Sequence, residues 1–104
     1  MRIRNLFTAF VLGTAAFAAT AADARINQRQ SREQARIYRG VQDGQLTARE
    51  TYRLEREQGR IARYEAASRA DGGGLSYRER YRIERMQDRA SRDIYRQRHD
   101  AQGR

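Results

Sequence analysis

Arginine recurs in steps of three and four along three stretches of this chain. The first holds Arg25, Arg29, Arg32, Arg36 and Arg39. The second holds Arg49, Arg53, Arg56, Arg60 and Arg63. The third holds Arg78, Arg82, Arg85, Arg89, Arg92 and Arg96. Residues three and four apart are surface neighbours on an α-helix, so each set predicts one stripe down one helix. The planar guanidinium fork grips carboxylate or phosphate bidentately, which lysine does not. The chemistry these stripes offer is therefore binding of an acidic surface or a polyanion. Arg78, Arg82, Arg85, Arg89, Arg92 and Arg96, with Tyr81 and Tyr95 beside them, form the longest set and the candidate partner-binding residues. A solvated charged face is the plainer reading of such runs.

A second pattern concerns acids after glycine-rich turns. DGQLTARE and DGGGLSYRE resemble the second half of an EF-hand loop: with Gly44 and Gly73 as the turn glycines at the sixth position, Asp43 is the fifth and Glu50 and Glu79 are the twelfth, and Asp71 lies in the later turn. Oxygen ligands are also needed at the first and third positions. Here these are Arg39 and Val41, then Ser68 and Ala70. Weak binding of calcium or another divalent cation is the alternative reading. The competing reading is capping. Thr47 with Glu50, and Ser76 with Glu79, are each a Ser/Thr-x-x-Glu capping box opening a helix.

Catalysis finds little to use. The chain has one His, His99, and no Cys, and no acid or His cluster has metal-ligand spacing. The reading is of a non-enzymatic protein without a cofactor.

The elements that must carry the stripes follow from period and breakers. Helices are expected from about Arg25 to Arg39, from Thr47 to about Ala67, and from Ser76 to about Arg98, with a frayed tail beyond. The turns GVQDG and ADGGG separate them. The second and third segments are one repeat, offset by 29 residues: Leu46-Thr47, Glu50 and Tyr52-Arg53-Leu54-Glu55-Arg56 match Leu75-Ser76, Glu79 and Tyr81-Arg82-Ile83-Glu84-Arg85. The expected fold is all-α, three helices in two helix-turn-helix hairpins sharing the middle helix, with a long C-terminal helix. Its apolar seams are Ile26, Gln30, Glu33 and Ile37; Leu54 and Ile61; and Ile83, Met86, Ala90 and Ile94. The pairs Arg53–Glu57, Asp88–Arg92, Arg89–Asp93 and Glu79–Arg82 are spaced for ion pairs along one helix.

The first 24 residues read differently. Arg2 and Arg4 precede an apolar run from Leu6 to Ala19, and Ala22-Asp23-Ala24 follows as an A-x-A site. This is the pattern of a secretory signal peptide, with cleavage expected after Ala24. Residues 25–104 then form a single small domain holding 20 Arg, no Lys and 12 acids, a net charge of +8. That domain has only three Leu, five Ile and one Val, and no Phe or Cys. The expectation is a thin core without disulfides, with homo-oligomerisation as one way to complete it. Export points to an acidic protein or an envelope polyanion as the partner. It leaves the anionic membrane surface as a peripheral contact and sets nucleic acid aside physiologically.

Through GQLTARE, ADGGGLS and SRDIYRQRHDAQ the chain resembles a group of small exported proteins of Gram-negative bacteria with G-x-L-T/S-x-x-E helical repeats. The resemblance runs through Gly44-Gln45-Leu46-Thr47, Glu50, Asp71-Gly72, Glu79 and Ser91-Arg92-Asp93-Ile94-Tyr95. It implies a periplasmic or secreted helical protein and brings no catalytic residues.

Overall fold

The computed structural model describes residues 21–100. The apolar run of the expected signal peptide and residues 101–104 lie outside them. Three helices make up the described chain: α1, Ala21–Gln42; α2, Ala48–Arg69; and α3, Tyr77–His99. The fold is all-α, and α3 exceeds the other two by a single residue.

Both capping boxes form. The Thr47 hydroxyl accepts from the Glu50 backbone N–H at 3.1 Å, and Glu50 Oε1 accepts from the Thr47 N–H at 2.9 Å. Ser76 and Glu79 repeat the arrangement at 3.1 and 2.8 Å. Each box satisfies two helix-end donors that would otherwise lack partners.

The first helix ends later than expected from Gly40. That glycine is buried inside α1, and the helix continues to Gln42. The chain turns at Gly44, whose φ of 74° is the left-handed conformation that only glycine adopts cheaply. The Gln45 and Leu46 N–H groups both donate back to the Gly40 carbonyl. Gly40 is needed for space: a Cβ there would lie 2.7 Å from Leu46 Cδ1.

Cross-helix contacts fix the register. Gln30 meets Glu65, Gln58 meets Glu33 and Gln34 meets Glu55, so α1 and α2 run antiparallel. Arg29 reaches Asp88 and Arg36 reaches Ser91, so α1 and α3 run parallel. The last helix packs against both others, and α1 meets α2 over a shorter stretch. The two hairpins are thus closed by a third interface, α1 on α3, that the turn pattern alone does not announce.

All five Ile and all three Leu of residues 25–104 are buried. They fall into two clusters. Ile26, Ile61, Leu75, Ile83 and Ala90 form one, with Tyr64 and Met86 at its edge. Ile37, Leu46, Leu54 and Ile94 form the other. Polar side chains lie buried on the same faces: Glu33 on α1, Gln58 and Glu65 on α2, Gln87 on α3. The α3 seam therefore runs Ile83, Gln87, Ala90, Ile94, and Met86 sits beside it, half-buried.

Candidate functional site

The three arginine stripes have different fates. Every arginine of the α2 set (49, 53, 56, 60, 63) and of the α3 set (78, 82, 85, 89, 92, 96) is exposed. Among these eleven only Arg96 forms an ion pair with a described residue, Asp93. The α1 set is partly consumed in packing. Arg29 pairs with Asp88 at 2.9 Å and lies 3.9 Å from Glu33. Arg36 donates to the Ser91 hydroxyl at 2.7 Å and to the Ser91 carbonyl at 3.1 Å.

The arginines off the stripes are the tightly held ones. Arg98 donates to Gln45 Oε1 at 2.6 Å and to the Arg36 carbonyl at 3.4 Å, and it lies 3.9 Å from Asp43. Arg80 donates to the Leu75 carbonyl at 2.7 Å. Arg69 grips Glu65 at 2.6 Å and sits 3.8 Å from Asp23. Asp23 lies before the expected cleavage site yet is buried in the first turn of α1.

The i,i+3 and i,i+4 pairs expected along single helices do not close. None of Arg53–Glu57, Asp88–Arg92, Arg89–Asp93 and Glu79–Arg82 is within ion-pair distance. The acids are drawn elsewhere. Asp88 goes across to Arg29, Asp93 to Arg96, and Glu79 to its cap N–H. Removing these partners leaves the α2 and α3 stripes with less internal neutralisation than their sequence spacing suggests.

The two free stripes come together at the α2/α3 interface. Arg82 of α3 lies over the ring of Tyr64 of α2, with its Cζ 5.0 Å from the ring centroid. Further along, the Glu57 carboxyl of α2 lies near enough to Asp93 of α3 for the two acids to interact. Burial is the main reason the Glu57 carboxyl is pushed up from 4.5 to about 7, and the interaction with Asp93 and its negative charge push the same way. Arg60 of α2 and Arg89 of α3 act on it in the opposite direction. Protonation of Glu57 as pH falls through about 7 would remove one negative charge from this interface.

Tyr81 and Tyr95 make their ring contacts within α3. The Tyr81 hydroxyl accepts from Arg85 at 2.9 Å, with the Arg85 Cζ 5.7 Å from the ring centroid. The Tyr95 ring stacks on His99, with centroids 4.0 Å apart. Tyr64 is the aromatic residue that meets a stripe arginine across the α2/α3 interface. Nothing in its local spacing marks it, because its partner Arg82 is identified only by the α2/α3 register.

The four acids of the cation reading are dispersed. Glu50 is buried and Glu79 half-buried, each with Oε1 committed to its capping box. Asp43 and Asp71 are exposed in the turns, and Asp43 faces Arg98. Among the described residues no three His, Cys, Asp or Glu side chains converge on a point that could hold a metal ion. No described helix is long and apolar enough to cross a membrane. Comparison with protein-family models, curated proteins and solved structures finds no match for this chain.

Proposed function

We propose that this is an exported, non-enzymatic helical protein whose α2/α3 face binds an acidic protein or an envelope polyanion. The observation that carries the reading is the exposure of eleven arginines on two adjacent helices, ten of them outside any ion pair with a described residue. Guanidinium groups left exposed keep their hydration and stay available for reversible, bidentate contact with an anionic surface. Many weak pairs acting together make such binding steeply salt-dependent. Arg82 over Tyr64 links the two helices at this face through a cation–π contact.

Polyglutamate titrated into the protein at rising salt tests this reading. Arg82, Arg85 and Arg89 changed together to Gln should weaken binding by an order of magnitude or more. Changing Arg25, Arg32 and Arg39 removes the same charge from exposed positions of α1 and should cost less. Equal losses would reduce the face to net charge alone. A changed sedimentation mass with unchanged affinity would make the face a contact between copies of this chain. Export is tested separately: mass spectrometry of the envelope fraction should find a chain beginning at Arg25. An intact Met1 form in the cytoplasm would remove the envelope partner.

A further inference from the structure

The groove between α1 and α3, which no α2 residue lines, holds a cavity of about 300 Å³. Arg25, Arg29 and Arg32 of α1 border it. Arg29 is anchored by Asp88 at 2.9 Å, while Arg25 and Arg32 are exposed and pair with no described acid. The cavity is thus supplied with cationic forks on one helix and closed on the other by Glu84 and Gln87.

Gln87 is the informative residue. It is 0% exposed, and its Nε2 donates to the Ile26 carbonyl at 3.0 Å. That bond assigns the carboxamide orientation: the nitrogen faces the carbonyl, so the oxygen faces away from it. This Oε1 is buried and accepts no hydrogen bond from any described residue. An acceptor buried without a donor costs free energy, and the residue borders a cavity large enough to hold one. The half-buried Glu84 places a second acceptor on the same wall.

We infer that this cavity binds a small oxyanion that carries its own hydrogen-bond donor, of which hydrogen phosphate is the simplest. Its unprotonated oxygens suit the guanidinium groups of Arg25, Arg29 and Arg32. Its P–OH suits the half-buried Glu84, and Gln87 Oε1 once a small side-chain movement opens that buried atom to the cavity. Sulfate has similar size and shape but no proton to donate near neutral pH. In this site it would leave Gln87 Oε1 unpaired and set a bare oxygen against the Glu84 carboxylate. The cavity therefore discriminates by protonation, with the arginines supplying attraction and the two acceptors supplying selection. The site is separate from the α2/α3 face and does not depend on the polyanion reading.

The test is a titration of the full chain with sodium phosphate and with sodium sulfate at matched ionic strength, followed by amide and side-chain NMR. Phosphate should move the signals of Arg25 to Arg32 and of the Gln87 carboxamide saturably. Sulfate should bind at least about tenfold more weakly, from the cost of one unpaired buried acceptor. Arg25→Gln and Arg32→Gln, both at exposed positions, should weaken phosphate binding with the melting temperature unchanged. Arg60→Gln with Arg89→Gln should leave it intact. Gln87→Met should bring the phosphate and sulfate affinities together if it folds. If it does not, the comparison of the two anions on the unaltered chain still decides. An absence of saturable shifts, equal affinity for sulfate, or shifts spread evenly over the α2 and α3 arginines would overturn the proposal.

Discussion

Gln58 of α2 donates from Nε2 to Oε1 of Glu33 on α1 at 3.0 Å, with both side chains buried. The bond lies on the α1/α2 interface and pairs two buried polar residues. Burial raises the Glu33 pKa, while the bond from Gln58 and the charges of Arg29, Arg36 and Arg32 work against that rise. A one-turn slip of α1 along α2 would leave both groups buried without each other, so the pair favours the observed register.

Removing one partner should hurt more than removing both. Gln58→Leu leaves Glu33 Oε1 without its donor and should cost about 1–3 kcal/mol. The double change Glu33→Leu with Gln58→Leu should be close to neutral, because apolar replacement of both partners restores a matched interface. Urea denaturation of the two single variants and the double variant measures the coupling. Additive losses would mean the two side chains act independently.

Acidity should stabilise the fold through Glu57. Its folded-state pKa of about 7 lies above the unfolded 4.5, so the native state holds the extra proton between those values. The contribution is fully present below about 4.5 and is lost as pH rises through about 7. Glu33, also raised, adds in the same sense. Glu57→Gln keeps a donor for Asp93 and should flatten the dependence of the urea midpoint on pH in this window. A slope unchanged by that substitution would place the titration elsewhere.

Much of the fold was legible because its signals are local. Thr47 with Glu50, and Ser76 with Glu79, mark two helix starts through contacts spanning three residues. The α1 seam of Ile26, Gln30, Glu33 and Ile37 reads as poor because two of its members are polar. Yet Ile26, Glu33 and Ile37 are buried, and Glu33 finds Gln58 across the interface. Such pairing cannot be seen from one helix. For the same reason the stripes look equivalent in sequence, although Asp88 and Ser91 of α3 occupy the first one. Gly40 looks like a breaker but permits close approach of Leu46.

Calcium and capping make opposite predictions. With Glu50 and Glu79 serving their helix ends, millimolar calcium should leave the melting temperature unchanged. Thr47→Ala and Ser76→Ala should each cost about 0.5–2 kcal/mol. Thermal melts with calcium and with a chelator check this. A calcium-dependent rise abolished by Glu50→Ala would favour the cation-binding alternative.

The contrast between free and tied arginines gives the last prediction. Arg98 is half-buried and touches three groups on α1 and its following turn: Gln45 Oε1, the Arg36 carbonyl and the Asp43 carboxylate. Its stem also packs 3.2 Å from where a Gly40 Cβ would stand. Arg89 is exposed on α3 and forms no ion pair with a described residue. Arg98→Ala therefore removes hydrogen bonds and apolar packing together, and should cost about 1–3 kcal/mol. Arg89→Ala changes an exposed helix position and should fall within about 0.5 kcal/mol of the parent. Gly40→Ala should reproduce much of the Arg98 loss, since its methyl group would push Leu46 and the Arg98 stem out of the same junction. Because these two substitutions act on shared neighbours, their double variant should lose less than the sum of the two. Denaturant midpoints of the parent and these four variants measure all of this at once. If Arg89→Ala destabilises as much as Arg98→Ala, the exposed stripe is part of the scaffold, and its exposure no longer argues for a binding face.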